Sequence, residues 1–357
     1  MNKEEKKSKK IRISIIASLI LSITFIVVIL KFTIDPSELE NIFLERIRYE
    51  FIIVAVLLNI CTWFLWGARL KVLSNAVDKN VKISWCESTK IVIANLFLAG
   101  ITPSMAGGEP VRIHLLNKDG MSLGGATASV LGERLIDAIF ILVCVPLALF
   151  IFKDRVGIGF ISLGLSIGIV VFIVGVLLFL YAIKKPDKTK AFLIFLEGKL
   201  SRIFKKRDKS ESTKIVQRIN REVDNFHNSM VFFAKEGKKA FLLGGIITVL
   251  MWSTGFMIPS MILLGLGLPP FFIESYAAQV LLLVIIMMPT TPGSAGVTEL
   301  GAGGLYMVLI GSSLIGVFVL LFRFITYHMN LIAGAIFQYR IFKSVASFSL
   351  DMIKKKK

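Results

Sequence analysis

Long, continuous apolar runs recur from one end of this chain to the other, and they restrict its fold more than any other feature. A run of about 20 apolar residues can cross the ~30 Å hydrocarbon core of a membrane as an α-helix. Backbone polar groups must be paired internally in lipid, so only helices or closed barrels can span it. A barrel is excluded because apolar and polar residues do not alternate with a period of two. The sequence therefore predicts an all-α, polytopic membrane protein.

Basic residues outnumber acidic residues by 42 to 24, and they are concentrated at both ends and in one central segment. Basic segments next to membrane spans remain on the cytoplasmic side. We therefore expect both termini and residues 184–239 to lie on the cytoplasmic side of the cell membrane. The same charges favour anionic membrane lipids as partners. Nucleic-acid binding is not expected because the basic segments flank apolar spans, and the sequence leaves a homo-oligomer open.

These patterns divide the chain into five segments. They are residues 1–49 (a first transmembrane helix and an outer loop), 50–183 (membrane repeat A), 184–239 (a basic amphipathic loop), 240–344 (membrane repeat B) and 345–357 (a basic tail). The first apolar run, Ile11 to Leu30, is too long for the apolar part of a typical signal peptide, so we predict a retained helix. The three cysteines and three histidines are scattered. No metal site or cofactor is predicted, because no metal-binding spacing of these residues occurs.

Two apolar stretches end in motifs that cannot continue a helix. The stretches Trp85 to Gly100 and Phe271 to Met288 are each followed by a Thr-Pro pair and several small residues. Proline ends the preceding half-helix, and glycine allows a sharp turn of the backbone. The positions of the basic segments require each stretch to enter and leave the membrane on one side, as a re-entrant hairpin. The predicted hinge residues are Thr102, Pro103, Gly107 and Gly108 in the first hairpin, and Thr291, Pro292, Gly293 and Gly296 in the second.

The two broken stretches form an internal repeat. Each contains a half-helix, a Thr-Pro break, an acidic residue, a short helix and a long helix that carries an arginine. Thr102 precedes Arg134 by 32 positions, and Thr291 precedes Arg323 by the same 32 positions. The first unit opens from the cytoplasm and the second from outside, which predicts an inverted-topology repeat. Such repeats place a binding site near the membrane midplane, lined by broken helices.

Charged residues near the breaks lie in otherwise apolar helices, where each costs roughly 2.5–3.5 kcal/mol. A guanidinium group binds phosphate through two N–H groups, and the start of a helix also favours an anion. The predicted substrate-binding residues are Arg134, Arg323, Glu109, Asp137, Glu299, Glu133, Arg112 and Tyr327. The alternative is a set of static ion pairs, Arg134 with Glu109 or Asp137 and Arg323 with Glu299. For Arg112 the favoured interpretation is an interfacial side chain that extends its charge into water.

The basic loop and the tryptophans have simpler interpretations. Apolar residues recur at helical spacing in residues 192–204 and 215–233. We predict amphipathic helices on the inner leaflet, with a two-helix hairpin that packs on itself as the alternative. Trp63, Trp66 and Trp85 are expected to form interfacial belts.

Several of these motifs resemble the lysylphosphatidylglycerol synthase transmembrane-region family. The resemblance covers most of the chain, from the second helix to Phe342. It rests on Asn95, on Thr102-Pro103-Ser104, on Gly107-Gly108-Glu109-Pro110 with Arg112, on Gly132-Glu133-Arg134 with Asp137, on Pro292-Gly293 with Gly296 and Glu299, and on Arg323 with Tyr327. In the bacterial multiple peptide resistance factor, this region is the flippase part and precedes a soluble aminoacyl-transferase domain. The chain contains no such domain, so the resemblance implies a stand-alone member that translocates lipid and does not transfer lysine. Phe322 occupies the place in the second repeat that corresponds to Glu133, so the role of Glu133 is expected to be one-sided.

We therefore expect a lipid flippase or transporter that moves a phosphate-bearing headgroup across the membrane. No nucleophile–base pair, Walker loop or dinucleotide fingerprint occurs in the sequence, so an enzyme is not expected. Two alternatives remain open at this point. One is a membrane enzyme, or enzyme subunit, that modifies a lipid headgroup. The other is an ion-coupled transporter of small solutes with the same architecture.

Overall fold

The computed structural model describes residues 47–102, 108–152, 184–203, 209–286 and 293–337, together with a few single positions. The predicted first helix, residues 11–30, and most of the predicted span at residues 157–183 lie outside the described residues. Within those ranges the chain consists of helices joined by short turns, with no strand. The fold class predicted from the apolar runs is confirmed.

Eleven helices follow one another in the described ranges. They are α1 (Tyr49–Val77), α2 (Trp85–Gly100), α3 (Gly108–Lys118), α4 (Leu123–Phe152), α5 (Pro186–Ile203), α6 (Lys209–Lys235), α7 (Lys238–Phe256), α8 (Ile258–Gly265), α9 (Phe272–Ile286), α10 (Val297–Ile310) and α11 (Ile315–Arg323). A π-helical turn, Phe324–His328, follows α11 directly. The helix then continues, so that Ile315–Phe337 forms one span.

Four helical segments are long and apolar enough to cross a membrane: Tyr49–Val77, Leu123–Phe152, Lys238–Gly265 and Ile315–Phe337. Large apolar side chains on all four, including Leu57, Leu147, Leu242 and Ile332, are more than half exposed. Exposed apolar faces of this extent mark a surface that contacts lipid. The third span is interrupted at Met257, one residue before α8, and Pro259 occupies the first turn of the new helix, where its missing N–H is tolerated.

Helix α1 lies at the centre of the described fold and packs against α2, α4, α7 and α8. The contact with α2 is close, because a Cβ added at Gly67 would lie 2.8 Å from the Thr89 Cα. Helix α2 begins at a capping box, in which Ser84 Oγ accepts from the Glu87 N–H and Glu87 accepts from the Ser84 N–H. These contacts position the first broken stretch against the centre of the protein.

The two broken stretches have the same order of elements. Helices α2, α3 and α4 form the first unit, and α9, α10 and α11 form the second. In each unit the short middle helix packs against both its neighbours. The matched order of helices follows the prediction, whereas the opposite orientation of the two units in the membrane remains a prediction.

The basic loop contains two helices that pack on each other. Lys190 of α5 lies 2.5 Å from Asp224 of α6, and the hydrogen bond from Lys190 to Asp224 raises the pKa of Lys190. Helix α6 also packs against α4, and its Phe233 is buried with Leu73 and Ile136. The segment therefore has the contacts of a two-helix hairpin that packs on itself, which was the alternative interpretation of the sequence. On α5, Phe192 and Phe195 remain exposed, so contact with the inner leaflet remains a prediction.

Candidate functional site

A buried carboxylate, Glu133, lies at the centre of the larger of two charged clusters. Helix α4 carries it, and its side chain is inaccessible to solvent. Glu133 accepts hydrogen bonds from Trp66 Nε1 (3.1 Å), Arg69 Nε (3.1 Å) and Arg112 Nη1. Helices α1, α3 and α4 therefore meet at one carboxylate.

Arg69 joins a second carboxylate to this cluster. Its Nη1 lies 2.6 Å from Asp137 Oδ1, and its Nη2 lies 3.4 Å from Oδ2, so the pair is bidentate. Arg69 Nη1 also donates to Thr248 Oγ1, and Trp252 Nε1 donates to Asp137 Oδ1 at 3.1 Å. A fully buried guanidinium needs such partners, because an unpaired buried charge is costly. Arg69 thus links α1 to α4 and α7.

The accessible part of this cluster is the pair formed by Arg134 and Glu109. Arg134 Nε lies 2.5 Å from Glu109 Oε1, and the two side chains are 43% and 37% exposed. Arg134 Nη1 also lies 3.8 Å from Asp137 Oδ2. A ligand can therefore reach Arg134 without opening the buried part of the cluster.

The second unit carries a smaller cluster in the matching place. Glu299, in the first turn of α10, accepts from the Gly296 N–H (2.7 Å) and from Arg323 Nε (2.9 Å). The Arg323 guanidinium lies over the ring of Tyr327, 4.0 Å from its centroid. The π-helical turn that follows Arg323 is held to α1, because Asn59 donates to the Ile325 carbonyl at 3.0 Å. In both units, an acidic residue at the start of the short helix pairs with an arginine on the following helix.

The two helix breaks meet directly. The Gly293 N–H donates to the Thr102 carbonyl at 3.2 Å, and the Tyr327 hydroxyl donates to the Gly100 carbonyl at 3.2 Å. Gly293 has a φ of +61°, and an added Cβ would lie 2.8 Å from the Tyr327 hydroxyl oxygen. Only glycine suits both the backbone conformation and the close approach at this position.

Several buried polar atoms in the two clusters have no hydrogen-bond partner among the described residues. They are Arg112 Nε in the first cluster, and Arg323 Nη2, Ser294 Oγ and His328 Nε2 around the second break. An unmade hydrogen bond of a buried group costs about 1–3 kcal/mol. The open N–H groups of Arg112 and Arg323 and the Ser294 hydroxyl can donate to an anion that enters the site, whereas His328 Nε2 is an acceptor because its Nδ1 donates to the Arg323 carbonyl.

The structure positions the predicted residues in two groups. The first contains Glu109, Arg112, Glu133, Arg134 and Asp137, and the second contains Glu299, Arg323 and Tyr327. No ion pair or hydrogen bond between described residues joins Arg134 to Arg323, so the two arginines do not share one immediate cluster. Of the predicted hinge residues, Thr102, Gly108, Thr291, Gly293 and Gly296 are described, whereas Pro103, Gly107 and Pro292 lie outside the described residues.

Two interpretations of single residues are wrong. Arg112 does not extend toward water, because α3 packs between α2 and α4 and its Arg112 side chain is only 1% exposed. Trp66 does not belong to an interfacial belt, because its indole N–H donates to Glu133. Of the other two tryptophans, Trp63 donates to Asn330 Oδ1 at 2.8 Å, and Trp85 is half-exposed.

The comparisons with known proteins agree with the motifs in these clusters. The family model described as lysylphosphatidylglycerol synthase TM region matches residues 15–334. The chain belongs to this family. It is 34% identical over 327 residues to a UPF0104 membrane protein of Archaeoglobus fulgidus, which covers 91% of this chain and 97% of the relative. A UPF0104 membrane protein of Pyrococcus horikoshii is 23% identical over 336 residues, or 93% of this chain and 98% of the relative. No solved structure matches the chain.

The family match spans both helix breaks and both charged clusters, from Arg69 to Tyr327. Sequence reasoning did not identify Arg69 as part of the site, because the basic residues after it suggested the end of a helix. The sequence did indicate that Arg69 lies inside a longer helix, because Leu70, Leu73 and Val77 continue the apolar face after it at spacings of three and four residues. This chain of the lysylphosphatidylglycerol synthase TM family therefore has a buried arginine that the motif pattern alone did not reveal.

Proposed function

We propose that this protein moves a lipid with a phosphate-bearing headgroup across the membrane. The headgroup passes along the contact between the two helix breaks while the acyl chains stay in the surrounding lipid. The observation that carries the proposal is the hydrogen bond between Gly293 and Thr102, which joins the two breaks. Each of the two broken units also carries an arginine–carboxylate pair.

Charge balance supports a site that exchanges partners. The first cluster contains three arginines and three carboxylates, and the second contains one of each. In the first cluster, an anionic headgroup therefore replaces a carboxylate as the partner of an arginine. The pair of Arg134 and Glu109 is the most accessible, so its opening is the least costly. In this mechanism the phosphate first takes the place of Glu109 beside Arg134.

In the proposed mechanism, the second cluster binds the headgroup after it leaves Arg134. Arg323 keeps Glu299 on its Nε while its Nη2 has no partner among the described residues. A phosphate oxygen can accept from that Nη2 without breaking the existing ion pair. Hydrogen bonds to charged groups contribute about 1.5–3 kcal/mol each. Such a bond stabilises the headgroup at membrane depth, where a bare charge is unfavourable.

Translocation is tested directly with purified protein in phospholipid vesicles. The vesicles contain a trace of phosphatidylglycerol that carries a fluorophore on its acyl chain, and an impermeant reductant quenches the outer leaflet. We expect the fraction quenched to rise from about half toward completeness in protein-containing vesicles only. Vesicles that contain the protein but retain a protected inner pool, as protein-free vesicles do, contradict the proposal.

The same vesicles separate lipid transport from the two alternatives. A neutral acylglycerol probe crosses membranes unaided and serves as the upper limit of the assay. A water-soluble anion trapped inside the vesicles reports an aqueous pathway. Leakage of that anion without lipid movement identifies a solute transporter and overturns the proposed function, and chemical change of the labelled lipid identifies an enzyme.

A further inference from the structure

A groove lies outside the charged clusters, where α1 ends and α2 begins. It lies along the last turns of α1 and the turn that follows. Arg69 of the larger cluster is only six residues before Asn75 of the groove, which is about 9 Å along a helix. The lining residues are Lys71, Asn75, Lys79, Val81, Lys82, Ile83 and Ser84.

The groove is cationic, and its lysines form no ion pair with a described carboxylate. Three lysines line it and no carboxylate does. Within the described residues, Lys71, Lys79 and Lys82 take part in no ion pair. The two carboxylates nearest in the chain have other partners: Asp78 accepts from the Asn80 N–H, and Glu87 accepts from the Ser84 N–H.

The groove is also held in a defined shape. Asn75 bonds the backbone of Ile83 twice, since its Nδ2 donates to the Ile83 carbonyl at 3.1 Å and its Oδ1 accepts from the Ile83 N–H at 2.9 Å. Ile83 is itself buried. Asn75 in the last turns of α1 is therefore joined to Ile83 just before α2. These bonds hold the turn that carries Lys79 and Lys82 against the helix that carries Lys71.

An exposed aromatic pair beside the groove is of the kind found at the level of lipid headgroups. Trp85 follows Ser84 directly, and its ring lies 5.8 Å from that of Phe64 in an edge-to-face arrangement. Both side chains are nearly half exposed, and the Trp85 indole N–H donates to the Phe64 carbonyl. Tryptophan with an exposed ring is typical of the boundary between acyl chains and headgroups.

We propose that this groove binds the phosphate-bearing headgroup of an anionic phospholipid, with the acyl chains against Phe64 and Trp85. Lysine ammonium groups bind phosphate as point charges, and each lysine near an anionic membrane surface adds to the attraction. The groove differs from the charged clusters, whose arginines are already paired with carboxylates. The proposal concerns binding alone, so it stands or falls independently of translocation.

The test uses the full-length protein in neutral detergent and native mass spectrometry with phosphatidylglycerol as the probe. The variant K71Q/K79Q/K82Q removes the three groove charges. The control R48Q/K90Q/K118Q removes three exposed charges that lie outside both the groove and the basic loop. We expect the affinity of the groove variant for phosphatidylglycerol to fall by about tenfold or more, because three lysines near an anionic lipid are lost. We expect the affinity of the control to stay within about twofold of wild type. Equal losses in both variants overturn the proposal.

Two further measurements make the result specific. The variant N75A keeps all three lysines but removes the bonds to Ile83, and we expect it to weaken binding while K71R/K79R/K82R retains it. Free glycerol phosphate is the second probe, because it offers the headgroup chemistry without acyl chains. We expect it to compete poorly with the lipid. Competition at concentrations equal to those of the lipid identifies a site for soluble anions and overturns the lipid assignment.

Discussion

At the scale of single residues, Glu133 is a carboxylate without solvent access, so its charge must be balanced inside the protein. It is buried and accepts from three donors on two helices. Arg69 keeps Asp137 as a second partner, whereas Glu133 is the one carboxylate paired with Arg112 among the described residues. The stability of the cluster therefore depends on Glu133 mainly through Arg112.

The variant Glu133→Gln should lower the free energy of unfolding by about 3–5 kcal/mol, because it leaves the buried Arg112 without a counter-charge. The measurement is unfolding of the purified protein in detergent. The control Glu50→Gln removes an exposed pair with Arg48 and should cost less than about 1 kcal/mol. If Arg112→Met in the Glu133→Gln background does not restore part of the stability, the explanation by an uncompensated charge is wrong.

The sequence located most residues of the two charged clusters but not their environment. Glu109, Arg134, Glu299 and Arg323 were recognisable because charges in apolar helices require partners, and the predicted pairs are present. Burial of Arg112 was not predictable from its own helix, which has polar residues on several sides. It depends on how α3 packs between α2 and α4, and such tertiary contacts leave no local pattern.

At the scale of helices, the breaks were predicted well and the helix ends less well. The Thr-Pro and glycine motifs exclude a continuous helix across each break. The described half-helices agree with this, since α2 begins and ends at the predicted Trp85 and Gly100, and α9 begins one residue after the predicted Phe271. Helix α1 continues past the basic residues Arg69 and Lys71 to Val77, although basic residues often mark the cytoplasmic end of a span. That extension places Arg69 inside the protein. The π-helical turn after Arg323 was not predicted either; the contact that it makes, a hydrogen bond from the distant Asn59 to the Ile325 carbonyl, leaves no local motif in the sequence.

Helix α1 needs a residue without a side chain where it crosses α2. The variant Gly67→Ala should destabilise the protein by about 1–3 kcal/mol, because the new Cβ would overlap the backbone of Thr89. Gly245 of α7 is a matched control, since an added Cβ there meets no atom within 4 Å. Gly245→Ala should be neutral or stabilising by about 0.5–1 kcal/mol, as expected for alanine in a helix. Thermal unfolding in detergent checks both, and equal behaviour of the two variants would refute the close α1–α2 packing.

At the scale of the whole molecule, the fold class follows from the length and continuity of the apolar runs. The matched order of helices in the two units was likewise predictable from the spacing of their motifs. The contact between the breaks was not, because Gly293 and Thr102 are nearly two hundred positions apart. The opposite orientation of the two units rests on the positive-inside rule and is a prediction.

Accessibility of single cysteines tests that orientation. In a background without Cys61, Cys86 and Cys144, cysteines at Ser210 and Ser312 should react with an impermeant thiol reagent from opposite sides of the membrane. The reason is that residues 184–239 are basic and predicted to be cytoplasmic, whereas Ser312 follows the second hairpin on the other side. Intact cells report the outer position and inverted vesicles the inner one. Labelling of both positions from one side contradicts the inverted repeat.

The central claim is that Arg134 and Arg323 contact the headgroup, and substitution by lysine tests it most directly. Arg134→Lys and Arg323→Lys keep the charge beside Glu109 and Glu299 but remove the additional N–H donors. The measurement is the rate of phosphatidylglycerol translocation in reconstituted vesicles, compared at equal amounts of folded protein. We predict that each variant is slowed about tenfold or more, the effect of losing one hydrogen bond to a charged group, and that the exposed control Arg48→Lys is unchanged. Translocation by both variants at the wild-type rate would contradict the account and assign the two arginines to structural ion pairs.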